Sequence, residues 1–154
     1  MNIKKDYIEK TKEYLEDLRK KINRKQMLND EIKILKKRQS LNGGIDLSEL
    51  SIRGQPGTRD ISDMIISYDT QITIKEVEID KIDEDLSMFE LKSRELNNIY
   101  KTIIKMRYLE SNSKISFDKI SREIGYSSIS TRRKHDDAID LLAYYVYGEE
   151  ATYN

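Results

Sequence analysis

Several residue types are absent or rare in this chain of 154 residues. It has no cysteine and a single histidine, which excludes disulfides and thiolate nucleophiles and leads us to expect no metal site. One proline and six glycines leave room for long uninterrupted helices. No apolar run approaches the roughly 18 residues of a membrane span, and the opening MNIKKDYIEK lacks the apolar core of a signal peptide. We therefore expect a cytoplasmic protein without membrane contacts.

Charge is what the chain has in quantity. Charged residues make up 36% and hydrophobic residues 37%, whereas a compact globule has about 25% and about 45–50%. The net charge of zero divides into +6 for residues 1–40, −7 for residues 41–95 and +1 for residues 96–154. This composition favours long exposed helices. The opposite charges of the first two segments predict that these segments pair with each other or with a charged partner.

The first segment has the pattern of a long amphipathic helix over about residues 3–40. It contains no glycine or proline, and its apolar residues recur at steps of three and four with one polar gap at Lys25. These residues are Leu15, Leu18, Ile22, Leu28, Ile32 and Leu35. The glycine pair in LNGG predicts the end of the helix and a loop over residues 41–58, which contains the only proline.

A second long helix is predicted over residues 59–93 by a heptad repeat. Its positions are Ile61, Ile65, Tyr68, Ile72, Lys75, Ile79, Ile82, Leu86 and Phe89, and only Lys75 is polar. The two helices are expected to form a coiled-coil-like hairpin over residues 1–95. Because a two-helix hairpin buries little area, we favour a hairpin that also forms a homodimer through its long helices, with a monomer as the open alternative.

The last third of the chain predicts a trihelical helix-turn-helix domain over residues 96–148, with a frayed tail over residues 149–154. The expected elements are a helix at 96–109, a loop at 110–116, a helix at 117–124, a turn at 125–127 and a helix at 128–147. Gly125 allows the backbone to reverse, Tyr126 is expected to pack into the domain core, and Ser127 is a good N-cap. The predicted fold is therefore all-α.

The final helix has the position of a recognition helix, whose first turns enter the major groove of DNA. Arginine can donate a bidentate pair of hydrogen bonds to guanine or to phosphate, and serine and threonine can bind either group. The candidate contacts on this helix are Ser128, Ser130, Thr131, Arg132, Arg133, Lys134 and His135. Lys119 and Arg122, on the preceding helix, are placed to contact the DNA backbone.

A solvated helix face is the alternative interpretation of this basic run, since Asp136, Asp137 and Asp140 follow it. The charge run alone favours that alternative, but the preceding helix, glycine turn and serine cap favour DNA binding. His135 is expected on the helix surface or against a phosphate, because no nucleophile motif lies near it. We predict no catalytic residues, no enzyme activity and no cofactor.

The motifs IIKMRYLES, FDKISREIGYS and RKHDDAIDLL resemble the helix-turn-helix of sigma-factor region 4. The whole chain resembles phage-encoded late-gene transcriptional regulators of the RinA/ArpU kind, through its long helices, the segment RGQPGTRDISDMI, the Arg107–Tyr108 pair and the IGYS turn. The resemblance implies a sequence-specific activator of phage late genes that binds double-stranded DNA in the host bacterial cell. Contact with host RNA polymerase is a further option that it raises. Thr131 and Lys134 depart from the pattern, because such helices often carry aliphatic residues there.

Two other functions are compatible with this pattern. A small terminase subunit for DNA packaging also joins a helix-turn-helix to helical oligomerisation elements. A coiled-coil interaction module is the third possibility, in which the C-terminal helices serve only as a cap and bind no DNA.

Overall fold

Helices, joined by short connections, make up most of the part of the chain that the structure describes. The computed structural model describes residues 2–43 and 57–153, with side chains for residues 2–41 and 67–153. The helices are α1 (Lys5–Gly43), α2 (Gly57–Ser93), α3 (Asn98–Ile104), α4 (Phe117–Ile124) and α5 (Ser128–Tyr147). A π-helical turn (Lys105–Leu109) follows α3 and a 3-10 turn (Gly148–Ala151) follows α5. The described residues contain no strand, so the predicted all-α class is confirmed.

The predicted loop over residues 41–58 begins too early. Leu41, Asn42 and Gly43 belong to α1, and α2 already begins at Gly57. A single glycine costs a helix only about 1 kcal/mol relative to alanine, which a helix of 39 residues tolerates near its end. The remainder of the predicted loop, residues 44–56, lies outside the described residues.

Residues 24–83 form one compact unit, which we call the hairpin unit. Within it α1 and α2 run antiparallel, because Arg24 pairs with Glu78 while the later residue Glu31 pairs with the earlier residue Lys75. The apolar contact between the two helices consists of Ile32, Leu35 and Ile72, with Tyr68 and Ile79 packed against them. These are residues of the two predicted stripes, so the predicted hairpin is confirmed here.

Lys25 and Lys75, the polar residues that interrupt the apolar pattern of each helix in the hairpin unit, both form ion pairs. Lys25 Nζ lies 2.6 Å from Asp83 Oδ1, and Lys75 Nζ lies 2.7 Å from Glu31 Oε2. The hydrogen bond from Lys75 lowers the pKa of Glu31 below its ordinary value. Water and salt screen such half-exposed pairs, so the apolar seam contributes most of the stability. The pairs instead determine which residues lie opposite one another.

Residues 1–23 and 84–154 form the second compact unit, which we call the helix-turn-helix unit. Its core joins the first turns of α1 and the end of α2 to the C-terminal helices: Leu15, Leu18, Phe89, Ile104, Tyr108, Ala138, Ile139 and Leu142 are all buried in one cluster. The predicted boundary at residue 95 is therefore not where the structure divides. The C-terminal helices alone offer a small core, and the long helices enlarge it.

Residues 149–153 pack against the start of the chain, so the prediction that residues 149–154 fray was wrong for these five residues. Asn154 lies outside the described residues. The Lys4 N–H donates to the Ala151 carbonyl at 2.7 Å, and the Tyr153 N–H donates to the Asn2 carbonyl at 3.1 Å. Ala151 is fully buried against Ile3. These contacts join residues about 150 positions apart in sequence, so no local pattern could have indicated them.

The helix predicted over residues 96–109 is shorter and irregular. It begins at Asn98, because Asn97 caps it by accepting a hydrogen bond from the Tyr100 N–H at 2.9 Å. Its last turn widens to the π form, in which the Glu110 N–H donates to the Lys105 carbonyl at 2.9 Å. Tyr108 lies in that widened turn and is buried. Single π turns often occur at functional sites.

Candidate nucleic-acid interface

The turn between α4 and α5 has the predicted helix-turn-helix geometry. Gly125 ends α4 in the left-handed region at φ 78°, which a side chain would disfavour, and its N–H donates to the Ser121 carbonyl at 3.0 Å. Ser127 then caps α5 by accepting a hydrogen bond from the Ser130 N–H at 3.1 Å. Both predicted turn roles are confirmed. The caps fix the direction in which α5 leaves the turn.

Tyr126, the middle residue of the turn, does not pack into the core as predicted. Its side chain is 43% exposed, and the Lys134 ammonium lies 4.9 Å from the centre of its ring. Tyr126 is the one residue between the cap of α4 and the cap of α5, and its ring packs along the outside of α5 instead. This cation–π contact also leaves Lys134 half-buried.

Four of the predicted DNA-contacting cations are exposed. Lys119 and Arg122 project from α4, and Arg132 and Arg133 project from the first turns of α5. None of the four forms an ion pair with any residue that the structure describes. Their charge is therefore available to an external partner.

Two predicted contact residues are buried, and their assignment to the DNA surface was wrong. Thr131 is 0% exposed and His135 is 2% exposed. The spacing of four residues places both on the inner face of α5, which continues with Ala138 and Leu142.

His135 lies in a hydrogen-bonded cluster on the inner face of α5. Its Nε2 is 2.8 Å from the Tyr108 hydroxyl and its Nδ1 is 2.9 Å from Asp136 Oδ1, while the Phe117 ring meets it edge-on at 4.9 Å. Burial lowers the pKa of His135 from 6.5 to about 4, although Asp136 acts in the opposite direction. The imidazole is consequently neutral at pH 7. It orients α5 against the π-helical turn and offers no charge to a phosphate.

The serines of the first turn of α5 differ in what they can offer a partner. The Ser128 hydroxyl donates to Asp118 Oδ1 at 2.5 Å and thereby ties α5 to α4. Ser128 remains exposed, so its oxygen can still accept a hydrogen bond, but its proton is already used. Ser130 is half-exposed. The two serines therefore belong to the candidate surface, and Ser128 also helps to position α5.

Ile129 is an exposed residue of the candidate interface that the sequence interpretation did not include. It is 69% exposed on the second position of α5 and lines a shallow groove with Arg132 and Arg133. Ser128 and Asp136 complete the lining of that groove. The helical period could have indicated its exposure, because residue 129 lies about 200° around the helix from Thr131.

The groove combines the groups that read base edges in DNA. Guanidinium groups donate to guanine, an aliphatic side chain packs on the thymine methyl, and a carboxylate accepts from the cytosine amino group. The groove has all three types of group on exposed residues: the guanidiniums of Arg132 and Arg133, the aliphatic side chain of Ile129 and the carboxylate of Asp136. The cations of α4 are separate from this groove and suit phosphate contacts.

No protein-family model, curated protein or solved structure matches this chain. Among the described helices, none has the length and apolar character that crossing a membrane requires.

Proposed function

We propose that this chain is a sequence-specific regulator of transcription that binds double-stranded DNA through α5. The observation that carries the proposal is the exposure of Arg132 and Arg133 on the first turns of a helix that follows a capped glycine turn. Because neither guanidinium is paired with a described carboxylate, binding to DNA requires no internal ion pair to break. The exposed Ile129 beside them supports base reading over simple charge attraction.

The proposed mechanism is binding without chemistry. The N-terminal turns of α5 enter the major groove, where Arg132 and Arg133 contact base edges or phosphates. Lys119 and Arg122 of α4 contact the sugar–phosphate backbone and fix the register of the helix. His135 and Thr131 have a structural part only, because both are buried in the helix-turn-helix unit.

The charge distribution favours specific over general DNA binding. The net charge of the chain is zero, so there is no overall attraction to nucleic acid. At about 0.9 counterions per phosphate contact, the affinity falls with roughly the second power of the salt concentration if only Lys119 and Arg122 contact phosphates. The exponent rises to roughly three to four if Arg132 and Arg133 contact phosphates as well. Discrimination between DNA sequences must then come from the residues that line the groove on α5.

We further propose that the chain acts as a homodimer through its long helices. Met27, Ile34 and Leu41 recur every seven residues on α1 and are 58%, 51% and 68% exposed. We call these three residues the apolar stripe. Residues seven apart share one face of a helix, and a stripe of this kind can bury itself against a second copy across a twofold axis. A dimer would present two recognition helices to two half-sites.

The regulated genes are proposed from the sequence resemblance alone. It supports activation of phage late genes in the cytoplasm of the host bacterium, with host RNA polymerase as a further partner. Thr131, Ile139 and Leu142 are each buried on the inner face of α5, which is compatible with a helix of that type.

Selection of bound duplexes from a random pool tests the proposed function. The full chain is expected to enrich one motif, in two copies related by twofold symmetry if the chain is a dimer. Enrichment of no motif at moderate salt would refute sequence-specific binding. Light scattering on the same sample separates a regulator from a packaging component, because a large ring of subunits would favour packaging.

A further inference from the structure

A small basic cavity lies within the helix-turn-helix unit, next to the groove on α5, with which it shares Arg132 and Asp136. It has a volume of about 190 Å³ and four cationic side chains at its walls, those of Lys12, Arg107, Lys114 and Arg132. Among the described residues, Asp136 is the one carboxylate that lines it. We call it the arginine cavity.

Two of these cations lack a carboxylate partner. Arg107 donates from Nη1 to the Ile115 carbonyl at 2.7 Å, but its Nε is buried and has no hydrogen-bond partner among the described residues. Arg132 forms no ion pair with any residue in the described ranges. A buried guanidinium N–H without a partner is rare in native proteins, because leaving it unsatisfied is costly. Arg107 and Arg132 therefore bring charge to the cavity wall that no described carboxylate pairs with, and an anion in the cavity would offset that charge.

Both guanidiniums make a cation–π contact with the Phe117 ring, which also lines the cavity. The guanidinium carbon of Arg107 lies 3.7 Å from the ring centre, and that of Arg132 lies 5.0 Å from it. The ring thus helps to hold two like charges at the wall of one cavity. Arg107 comes from the π-helical turn and Arg132 from α5, so the arrangement depends on the fold of this unit.

The two lysines of the cavity are only loosely paired. Lys12 Nζ lies 3.4 Å from Glu9 and Lys114 Nζ lies 3.8 Å from Glu16, and these carboxylates do not line the cavity. Asp136 is held by His135 Nδ1 at 2.9 Å and is 67% exposed. The cavity therefore carries an excess of positive charge and many donors with few acceptors.

We propose that the arginine cavity binds a phosphate group. A tetrahedral dianion can accept at once from two guanidiniums and an ammonium, and its charge offsets the excess in the cavity. A phosphate of the DNA backbone and a free phosphorylated small molecule have the same chemistry, and the cavity could take either. The proposal goes beyond DNA binding, because phosphate binding by this cavity does not require that α5 reads DNA.

The resonances of the single histidine of the chain provide a direct probe of whether the cavity is occupied. His135 lines the cavity, so its imidazole resonances report on occupancy without overlap from other histidines. Inorganic phosphate and pyrophosphate are titrated into the full chain at constant ionic strength, with chloride as the reference salt. The expected result is a saturable shift of the His135 resonances with phosphate and pyrophosphate and none with chloride.

Two neighbouring arginines give a matched pair of variants. Arg132→Gln removes a guanidinium from the cavity and is expected to weaken phosphate binding about tenfold or more, as the loss of a charge-assisted hydrogen bond would. Arg133→Gln removes an adjacent guanidinium that does not line the cavity, and free phosphate is expected to bind it as it binds the wild type. Circular dichroism checks that both variants fold.

Addition of a DNA duplex to the same samples distinguishes the two sources. If duplex moves His135 to its phosphate-bound position and competes with free phosphate, the cavity takes a backbone phosphate. If phosphate still saturates the cavity with duplex bound, the ligand is a free phosphorylated molecule. Absence of any saturable shift with phosphate, or an equal shift in Arg132→Gln, would overturn the proposal. The phosphate titration needs no DNA, so its outcome is independent of whether the chain binds a duplex.

Discussion

The hydroxyl of Thr131 is buried without a hydrogen-bond partner among the described residues. An unsatisfied buried hydroxyl costs roughly 1–3 kcal/mol, and valine has nearly the same shape without that group. We expect Thr131→Val to raise the free energy of unfolding by about 1 kcal/mol, measured by urea denaturation.

Thr102→Val is the matched control for that measurement. Thr102 is exposed, and its hydroxyl donates to the Asn98 carbonyl at 2.9 Å within α3. The control is expected to leave stability unchanged or slightly lower. A loss of stability in Thr131→Val would show that its hydroxyl has a partner, against the present account.

The burial of His135 makes the stability of the chain depend on pH. Burial lowers the pKa of His135 in the folded state to about 4, while the unfolded chain has the ordinary value near 6.5. Between these values the unfolded state binds the extra proton, so stability is present above pH 6.5 and falls as the pH drops towards 4. Integrating this dependence over pH gives a decrease of about 2 kcal/mol in the free energy of unfolding between pH 7 and pH 5.

Urea denaturation at a series of pH values measures this loss, and His135→Gln is the comparison. The chain has no other histidine, so no other imidazole titrates in that window. The variant is expected to show a flatter dependence between pH 7 and pH 5, whatever its absolute stability. Equal slopes in the two proteins would contradict the neutral, buried state of His135.

The residue-scale predictions from sequence failed where neighbours in space decide the outcome. Arg132 and Arg133 were expected to be exposed and are exposed. His135 was placed with them because it adjoins them in sequence, yet its hydrogen bond to Tyr108 depends on a contact across 27 residues. Of these two buried residues, only Thr131 had a local indication of burial, since the helices that the sequence resembles often carry an aliphatic residue there.

At the scale of elements, the turn between α4 and α5 depends on the backbone of Gly125. A Cβ at this residue would meet no atom within 4 Å, so the cost of Gly125→Ala is confined to its φ of 78°. We expect a loss of about 1 kcal/mol in Gly125→Ala and a smaller loss in Gly125→Asn, because asparagine tolerates the left-handed region better.

Gly148, at the end of α5, is the internal comparison in a thermal or urea series. Its Cβ position is also open, but its φ of 73° is combined with a ψ of −152°, a region that is essentially restricted to glycine. Gly148→Ala is therefore expected to lose more stability than Gly125→Ala. The reverse order would contradict the assignment of both costs to the backbone.

Local signals account for the elements that the sequence predicted well. The serine caps and glycine ends of α4 and α5 are short-range features, and both helices have the predicted limits. The π form of Lys105–Leu109 and the pairing of the chain ends between Ile3 and Thr152 have no such local signal. Both depend on tertiary packing, which overrides propensity.

At the scale of the whole molecule, the apolar stripe on α1 predicts the state of association. We expect the wild type to be a dimer by light scattering at micromolar concentration, and Met27→Lys combined with Ile34→Lys to be a monomer. Both residues are more than half exposed, so the substitution should not disturb the core of the hairpin unit. Burying two lysines at an apolar contact is unfavourable.

Met88→Lys combined with Leu91→Lys is the control for association. Both residues are exposed on α2, with 51% and 53% of their surfaces accessible, and neither belongs to the apolar stripe. This variant is expected to remain a dimer. A monomeric wild type would refute dimerisation through the long helices.

The division of the chain into two units was the least predictable feature of the molecule. The charge and heptad patterns are continuous along both long helices, and they predicted the pairing seen in the hairpin unit. They contain no sign that Leu15, Leu18 and Phe89 join the C-terminal helices. That assignment depends on contacts between distant segments, which a single sequence does not show.

The affinity of the chain for its selected duplex tests the central claim most directly. Fluorescence anisotropy compares the wild type with Arg132→Ala combined with Arg133→Ala, and with Lys36→Ala combined with Lys37→Ala. The control removes the same charge from exposed positions of the hairpin unit. At moderate salt the arginine variant is expected to bind about 100-fold more weakly, at roughly 1–3 kcal/mol per base-contacting arginine, and the lysine control to bind as the wild type does. Equal affinity of the arginine variant and the wild type would contradict a recognition role for α5.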